Sequence, residues 1–199
     1  MKHLVMLGTD HAHVHLLSTL AAQPLAGVQV TLVAPCPHPF YADMVAGFVA
    51  GHDAQQDCVI PLEPFLTNTA VTWLQRSATA LDANTRTVTL DDGSTLHYDI
   101  LSINSGPVLN KQTIELMMPG AREHALFVFP LEPFAKLWPK VVELGQQKPL
   151  RVAIIGGAAT GFELACAVAH RLPASSVTLL AGDAPVGAGY PSAVQTMMT

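Results

Sequence analysis

Leu4-Val5-Met6-Leu7-Gly8-Thr9-Asp10-His11-Ala12-His13 opens the chain, and Val152-Ala153-Ile154-Ile155-Gly156-Gly157-Ala158-Ala159-Thr160-Gly161 repeats its plan about 150 residues later. Each is a short apolar run, then a glycine turn, then a helix-compatible stretch, the order that begins a βαβ unit. In the first unit His3 to Leu7 predicts a strand, His11 to Ala22 a helix with Ala12, Leu16, Leu17 and Leu20 on one stripe, and Val28 to Val33 a second strand. In the second, Arg151 to Ile155, Thr160 to Leu172 and Ser176 to Ala181 repeat strand, helix and strand. Strands this uniformly apolar belong in a parallel sheet covered on both faces.

A dinucleotide turn needs small residues at three places: for the tight turn, for close approach of backbone to pyrophosphate, and for close contact of helix with strand. The phosphates then rest on unpaired N–H groups at the positive end of the helix dipole. In the first opening Gly8 fills the first place, but Asp10 stands at the second and His13 at the third. A carboxylate about 4 Å from a phosphate, at an effective dielectric near 20, is repelled by roughly 4 kcal/mol. Asp10 equally suits the N-cap of the helix that begins at His11. In the second opening Gly156 and Gly161 keep their places and Ala158 replaces the middle glycine with one methyl group. Asp183, just past the second strand, is the nearest acid for a ribose hydroxyl.

Between the openings, Ala34-Pro35-Cys36-Pro37-His38-Pro39 reads as a loop, because alternate prolines suit neither helix nor central strand. Met44 to Gly51 and Pro61 to Leu66 read as short helices. Val71 to Leu81, Arg86 to Leu90 and Thr95 to Tyr98 alternate, with Asp92-Gly93 as a hairpin turn, and predict a small antiparallel meander at about 71–98. Tyr98 to Asn104 returns to a buried strand that ends at Ser105-Gly106-Pro107. Pro107 to Lys111 and Pro119 to Glu123 look like loops, Leu131 to Gln146 like a helix interrupted at Pro139, and the tail past Gly182 has no strong pattern.

With 199 residues, 50% hydrophobic and 13% charged, the chain has the material for a folded core. A net charge of −5 without basic runs argues against nucleic acid. Neither a signal-peptide core nor an apolar run of membrane-spanning length is present, so the cytoplasm is the expected compartment. The mean hydropathy of +0.35 predicts apolar surface covered by a partner, a ligand or further chain, a homo-oligomer being one such cover. Cys36, Cys58 and Cys166 lack C-x-x-C spacing, which leaves no redox pair; Cys36, between two prolines, is the most reactive candidate.

Two rival readings use the same residues. His11, His13 and His15 alternate after a strand, as in metal-dependent hydrolases that hold zinc through an H-x-H pair. That arrangement needs further ligands from an eight-stranded barrel, for which this chain is short, and on a helix His13 faces away from the other two. The other rival is a degenerate, non-catalytic relative that binds a nucleotide or a partner without turnover.

The full set of motifs resembles the N-terminal half of a pyridine nucleotide-disulfide oxidoreductase family flavoprotein, of the type II NADH dehydrogenase-like branch, and within it the flavoproteins sometimes fused to selenide, water dikinase. The residues that carry this are Gly8 to His15, Tyr41 to Gly47 with Val49 to His52, Leu90 to Gly93, Tyr98 to Ser102 leading to Gly106-Pro107, Pro119 to Ala121, and Ile155 to Leu164. The resemblance implies an α/β, doubly wound, three-layer Rossmann-like fold with the small meander. It implies an FAD-binding-type domain over 1–110, a connecting segment over 111–149, and the first βαβ of an incomplete NAD(P)-binding-type domain over 150–199. It implies hydride transfer from NAD(P)H to FAD and onward to a quinone or other acceptor, in the cytoplasm or at a membrane surface. On the resemblance, Gly8, Thr9, Asp10 and His11 flank the FAD pyrophosphate, Gly106 and Pro107 lie near the flavin, and Gly156, Gly157, Ala158, Gly161 and Glu163 meet the nicotinamide cofactor. Thr9-Asp10, Ala42-Asp43-Met44 and Ala158 depart from the family's glycine pattern along this path, which points to weakened or lost cofactor affinity. No catalytic acid, base or nucleophile stands out.

Overall fold

The structure, a computed structural model, describes residues 1–67, 69–106 and 109–198. They divide into two compact units, one of Met1–Phe40 with Val59–Leu109 and one of Tyr41–Cys58 with Asn110–Thr199.

In the first unit, β1 (Lys2–Leu7), β2 (Val28–Val33), β3 (Val71–Leu74) and, late in the chain, the strand Ile100–Ile103 make one parallel sheet, with β3 outermost, then β2, β1 and the late strand. Successive side chains of a strand point to opposite faces, and β1 is apolar on both. Leu4 and Met6 join Val30, Leu32 and Ala34 against Leu17 and Leu20 of α1 (His11–Ala22). Val5, Leu7 and Val33 face the other way, onto Val88, Leu90 and Tyr98. Val88 and Leu90 belong to the antiparallel sheet of β4 (Ala78–Asp82), β5 (Thr87–Leu90) and β6 (Thr95–His97), and Tyr98 follows its last strand. The layers are therefore helix, parallel sheet and meander, with Met6, Leu17 and Leu32 fully buried between the first two.

One strand differs from its sequence pattern. Val71 to Leu74 alternates like the meander that follows, yet it pairs in parallel with β2, Val30 opposite Val71 through Val33 opposite Leu74. Trp73 fixes it there by donating its indole N–H to the Ala34 carbonyl at 3.0 Å. The meander begins only at Ala78, after Arg76 and Ser77. The strand Ile100–Ile103 is β7, paired with β1 from Leu4 opposite Ile100 to Leu7 opposite Ile103.

One further helix, at 121–124, stands where the sequence suggests a loop, and another begins at Lys111, where the first loop reading ends. α2 (Val45–Ala50) and α3 (Glu63–Leu66) are followed by α4 (Lys111–Met117) and α5 (Ala121–His124). Asn110 starts α4 by accepting from the Gln112 and Thr113 N–H groups, and Glu115 binds the Gly120 and Arg122 N–H groups at the next turn. These local side-chain caps hold segments whose prolines and short lengths conceal a helical period. α6 (Leu131–Gln147) runs through Pro139 with Phe134 stacked on Trp138, whose N–H reaches the Val49 carbonyl.

The second unit ends in β8 (Arg151–Ile155), α7 (Ala159–Arg171), β9 (Ser176–Leu180) and a short α8 (Ser192–Met197). β8 and β9 pair in parallel, Arg151 opposite Ser176 through Ile155 opposite Leu180. Val152, Ile154, Val177 and Leu179 are half-buried while Ile155 and Leu180 are 59% and 48% exposed. This sheet is thus covered on one face.

The meander's turn carries its own pH signature. Hydrogen bonds from the Ser94 hydroxyl and backbone, with Arg76 beside it, hold the Asp92 carboxyl down to about 2. A carboxyl lowered on folding stabilises above its ordinary value, 3.8, and loses that contribution as the pH falls toward about 2. Urea midpoints recorded across that window should fall less steeply in Asp92→Asn than in the parent chain.

Candidate functional site

The chain leaves β1 toward β2 and β3 on one side and returns through β7 on the other, so a crevice opens at the carboxyl ends of β1 and β7. Open α/β sheets bind ligands at such a switch point. Gly8 stands in this crevice with φ +86°, and a Cβ there would lie 2.5 Å from the Asn104 carbonyl oxygen. Only glycine allows β1 to turn this close to the end of β7. The junction is sewn by the Gly8 N–H to Val33, the Asn104 N–H to Leu7 and the Asp10 N–H to the Asn104 carbonyl.

Asp10 adopts the N-cap conformation of α1, and its carboxylate accepts from the His11 N–H at 2.8 Å and contacts the His11 ring. Partial burial pushes its carboxyl up, but the side-chain and backbone hydrogen bonds of His11 outweigh this and the net shift is downward. The group is therefore an anion at neutral pH, seated where a pyrophosphate would meet the helix. The first turn thus joins a glycine backbone that only a bare residue permits to a helix start capped by a carboxylate.

His13, at the third glycine place, is 1% exposed and bonded at every polar atom. Its ring contacts the Gly8 carbonyl through Nδ1 at 2.7 Å and the Ser102 hydroxyl through Nε2 at 2.8 Å, and its backbone N–H donates to Asn104 Oδ1. A carbonyl only accepts, so Nδ1 carries a proton toward Gly8, while Nε2 meets the Ser102 hydroxyl. This histidine ties α1 to β1 and β7, where a glycine would let the elements touch directly. His11 and His15 are exposed, and among the described residues no group of three His, Cys, Asp or Glu could hold a metal. Both His13 nitrogens are engaged within the junction, apart from the exposed His11 and His15.

The second turn is built differently. Gly156 has φ +135°, and a Cβ on Gly161 would fall 1.9 Å from the Gly156 carbonyl oxygen, so the first turn of α7 lies directly against the end of β8. Gly157 approaches Ala181 as closely, with 2.7 Å from its missing Cβ to that methyl. The N-cap of α7 is Ala158, which has no side-chain oxygen to offer, so the helix start carries no side-chain cap. Asp183 is exposed beyond β9, at the same carboxyl end of the parallel pair. These residues fit a dinucleotide: the three glycines leave the backbone bare, and no side chain caps the helix start.

The remaining expected residues are less informative. Thr9 is half-buried in the first turn, Gly106 is exposed with open space where a Cβ would stand, and Glu163 is exposed on α7. Pro107 lies outside the described residues. Cys36 is half-buried while Cys166 is exposed. Burial first, then Asp53 and Asp57, push the Cys58 thiol up. The residues that composition and spacing overlooked are Asn104 and Ser102, whose roles depend on β7 lying beside β1.

Comparison with known proteins agrees with this geometry. The family described as pyridine nucleotide-disulphide oxidoreductase matches residues 2–199, and the chain belongs to it. An NADH dehydrogenase-like protein of Mycobacterium tuberculosis (strain CDC 1551) is 29% identical over 157 residues, 77% of this chain and 37% of that protein. Among solved structures, NDH2 of Plasmodium falciparum in complex with NADH superposes with TM-score 0.77 at 18% identity, covering 98% of this chain and 44% of that one. The putidaredoxin reductase–putidaredoxin complex gives 0.72 at 23% identity, covering 99% and 46%. The chain spans under half the length of these proteins.

Replacing His13 with alanine removes two side-chain hydrogen bonds from a sealed junction and orphans the Gly8 carbonyl and Ser102 hydroxyl. The loss should be about 2–5 kcal/mol of unfolding free energy in urea titrations. The exposed His15→Ala should stay within about 0.5 kcal/mol of the parent.

Proposed function

We propose that this chain, as a member of that family, is the nucleotide-binding part of an FAD-dependent NAD(P)H oxidoreductase in which the nicotinamide site is intact and the flavin site is weakened. The observation that carries the reading is the contrast between the two helix starts: Ala158 leaves the N-terminus of α7 uncapped, while ionised Asp10 occupies that of α1. Bound at the second turn, a reduced nicotinamide supplies a hydride. In this reading Gly156 and Gly161 bring backbone to the pyrophosphate, Gly157 leaves room beside Ala181, and Asp183 accepts from a ribose hydroxyl. Gly8 and Gly106 are the corresponding small residues toward FAD, with Thr9, Asp10 and His11 around its phosphates and Glu163 along the nicotinamide side. The reading extends to a quinone or other small electron acceptor, and to work in the cytoplasm or at a membrane surface. Among the described residues no helix is long and apolar enough to cross a membrane.

The same cap gives substance to a second reading, a relative that binds a nicotinamide nucleotide without turning it over. Absorbance of the purified chain separates the two, since bound flavin absorbs near about 375 and 450 nm. A mirrored pair of variants tests the charge argument. Ala158→Asp places a carboxylate on the second helix start and should weaken NADH binding at least tenfold in a fluorescence titration. Asp10→Gly should raise the flavin taken up on incubation with FAD. Unchanged values in both variants would refute the reading.

A further inference from the structure

The second unit brings together two histidines from distant parts of the chain. His52 follows α2 and His170 sits in the last turn of α7, 118 positions apart in sequence, and their Nε2 atoms lie 3.3 Å from each other. Their ring centroids are 5.0 Å apart with the planes at 60°. We propose that His52 and His170 form a two-histidine site for a borderline divalent cation, zinc by geometry.

Zinc–imidazole bonds are about 2.0–2.1 Å, and two of them span 3.3 Å when the N–Zn–N angle is about 107°, close to tetrahedral. The ligands are held from behind. α2 packs on α7, Gly51 ends α2 at φ +83° with the Arg171 guanidinium against it, and the His52 N–H is tied to the Gly47 carbonyl at 2.9 Å. The two rings therefore meet through rigid backbone rather than through a flexible loop. Both are exposed, so water can complete the coordination, as it must: among the described residues no third His, Cys, Asp or Glu converges on the pair.

The surroundings favour a cation. His52 lines a cavity of about 680 Å³ together with Asp53, Asp57 and Glu143, three carboxylates against the single guanidinium of Arg171. Imidazole nitrogens suit zinc, copper and nickel over magnesium or calcium, and binding requires both rings neutral.

The test uses the whole chain, stripped with a chelator and titrated calorimetrically with zinc chloride, beside His52→Gln, His170→Gln and the control His124→Gln. Glutamine keeps a hydrogen-bonding amide at these exposed positions and ligates zinc poorly. The expected result is one zinc site that weakens at least about tenfold in either of the first two variants and is unchanged in the control. Retention of the same site in both His52→Gln and His170→Gln overturns the proposal. A measurement without variants follows acylation of the parent chain by diethyl pyrocarbonate: zinc should protect His52 and His170 together, and equal labelling with and without zinc overturns it.

Discussion

Everything in the first unit follows from β1 having no wet face. Leu4 and Met6 need a helix over them, and Val5 and Leu7 need a second apolar layer beneath. A strand covered twice must lie inside a parallel sheet, and parallel neighbours require crossover helices that return every strand in one direction. That shared direction gathers the strand ends, the glycine turn and the start of α1 at one edge. This edge is thus a by-product of burying four side chains, and Gly8 lets β1 turn closely enough against β7 for Asn104 to bond to its end.

The two glycine turns show how one architecture reaches opposite electrostatic outcomes. Around α1, a chain-derived carboxylate satisfies the helix start, and a buried histidine replaces bare contact between helix and strand. Around α7, the contact is bare, since Gly161 leaves no room for even a methyl group, and the helix start is left to solvent. The helix dipole is equally available in both places. What differs is whether the polypeptide has already spent it on itself.

Much of this was legible in the residues. α1 and β2 fall where period and β-branching put them, and Asp10 could be read as an N-cap from its place before the helix. β3 could not be separated from the meander, because alternation reports a strand's two faces and says nothing of its neighbours; the Trp73 bond to Ala34 is a contact across 39 positions. α4 and α5 escaped because their stability lies in the Asn110 and Glu115 side chains rather than in an apolar stripe. The role of His13 was hidden for a related reason: histidine at a glycine place looks like damage until Ser102 and Gly8 are seen on either side of its ring. His52 and His170 carry no local signal at all, being joined only by the packing of α2 on α7.

The Asp10 cap also sets a rule for any anion that approaches α1. The carboxylate is a tethered rival, one bond rotation from the groups it blocks, so its effective concentration is fixed by the chain and not by supply. Raising the amount of a free phosphate compound competes poorly against such an occupant. Acid would have to reach below the carboxyl's lowered titration range before the rival withdrew, so across physiological conditions the first helix start behaves as a lock holding its own key.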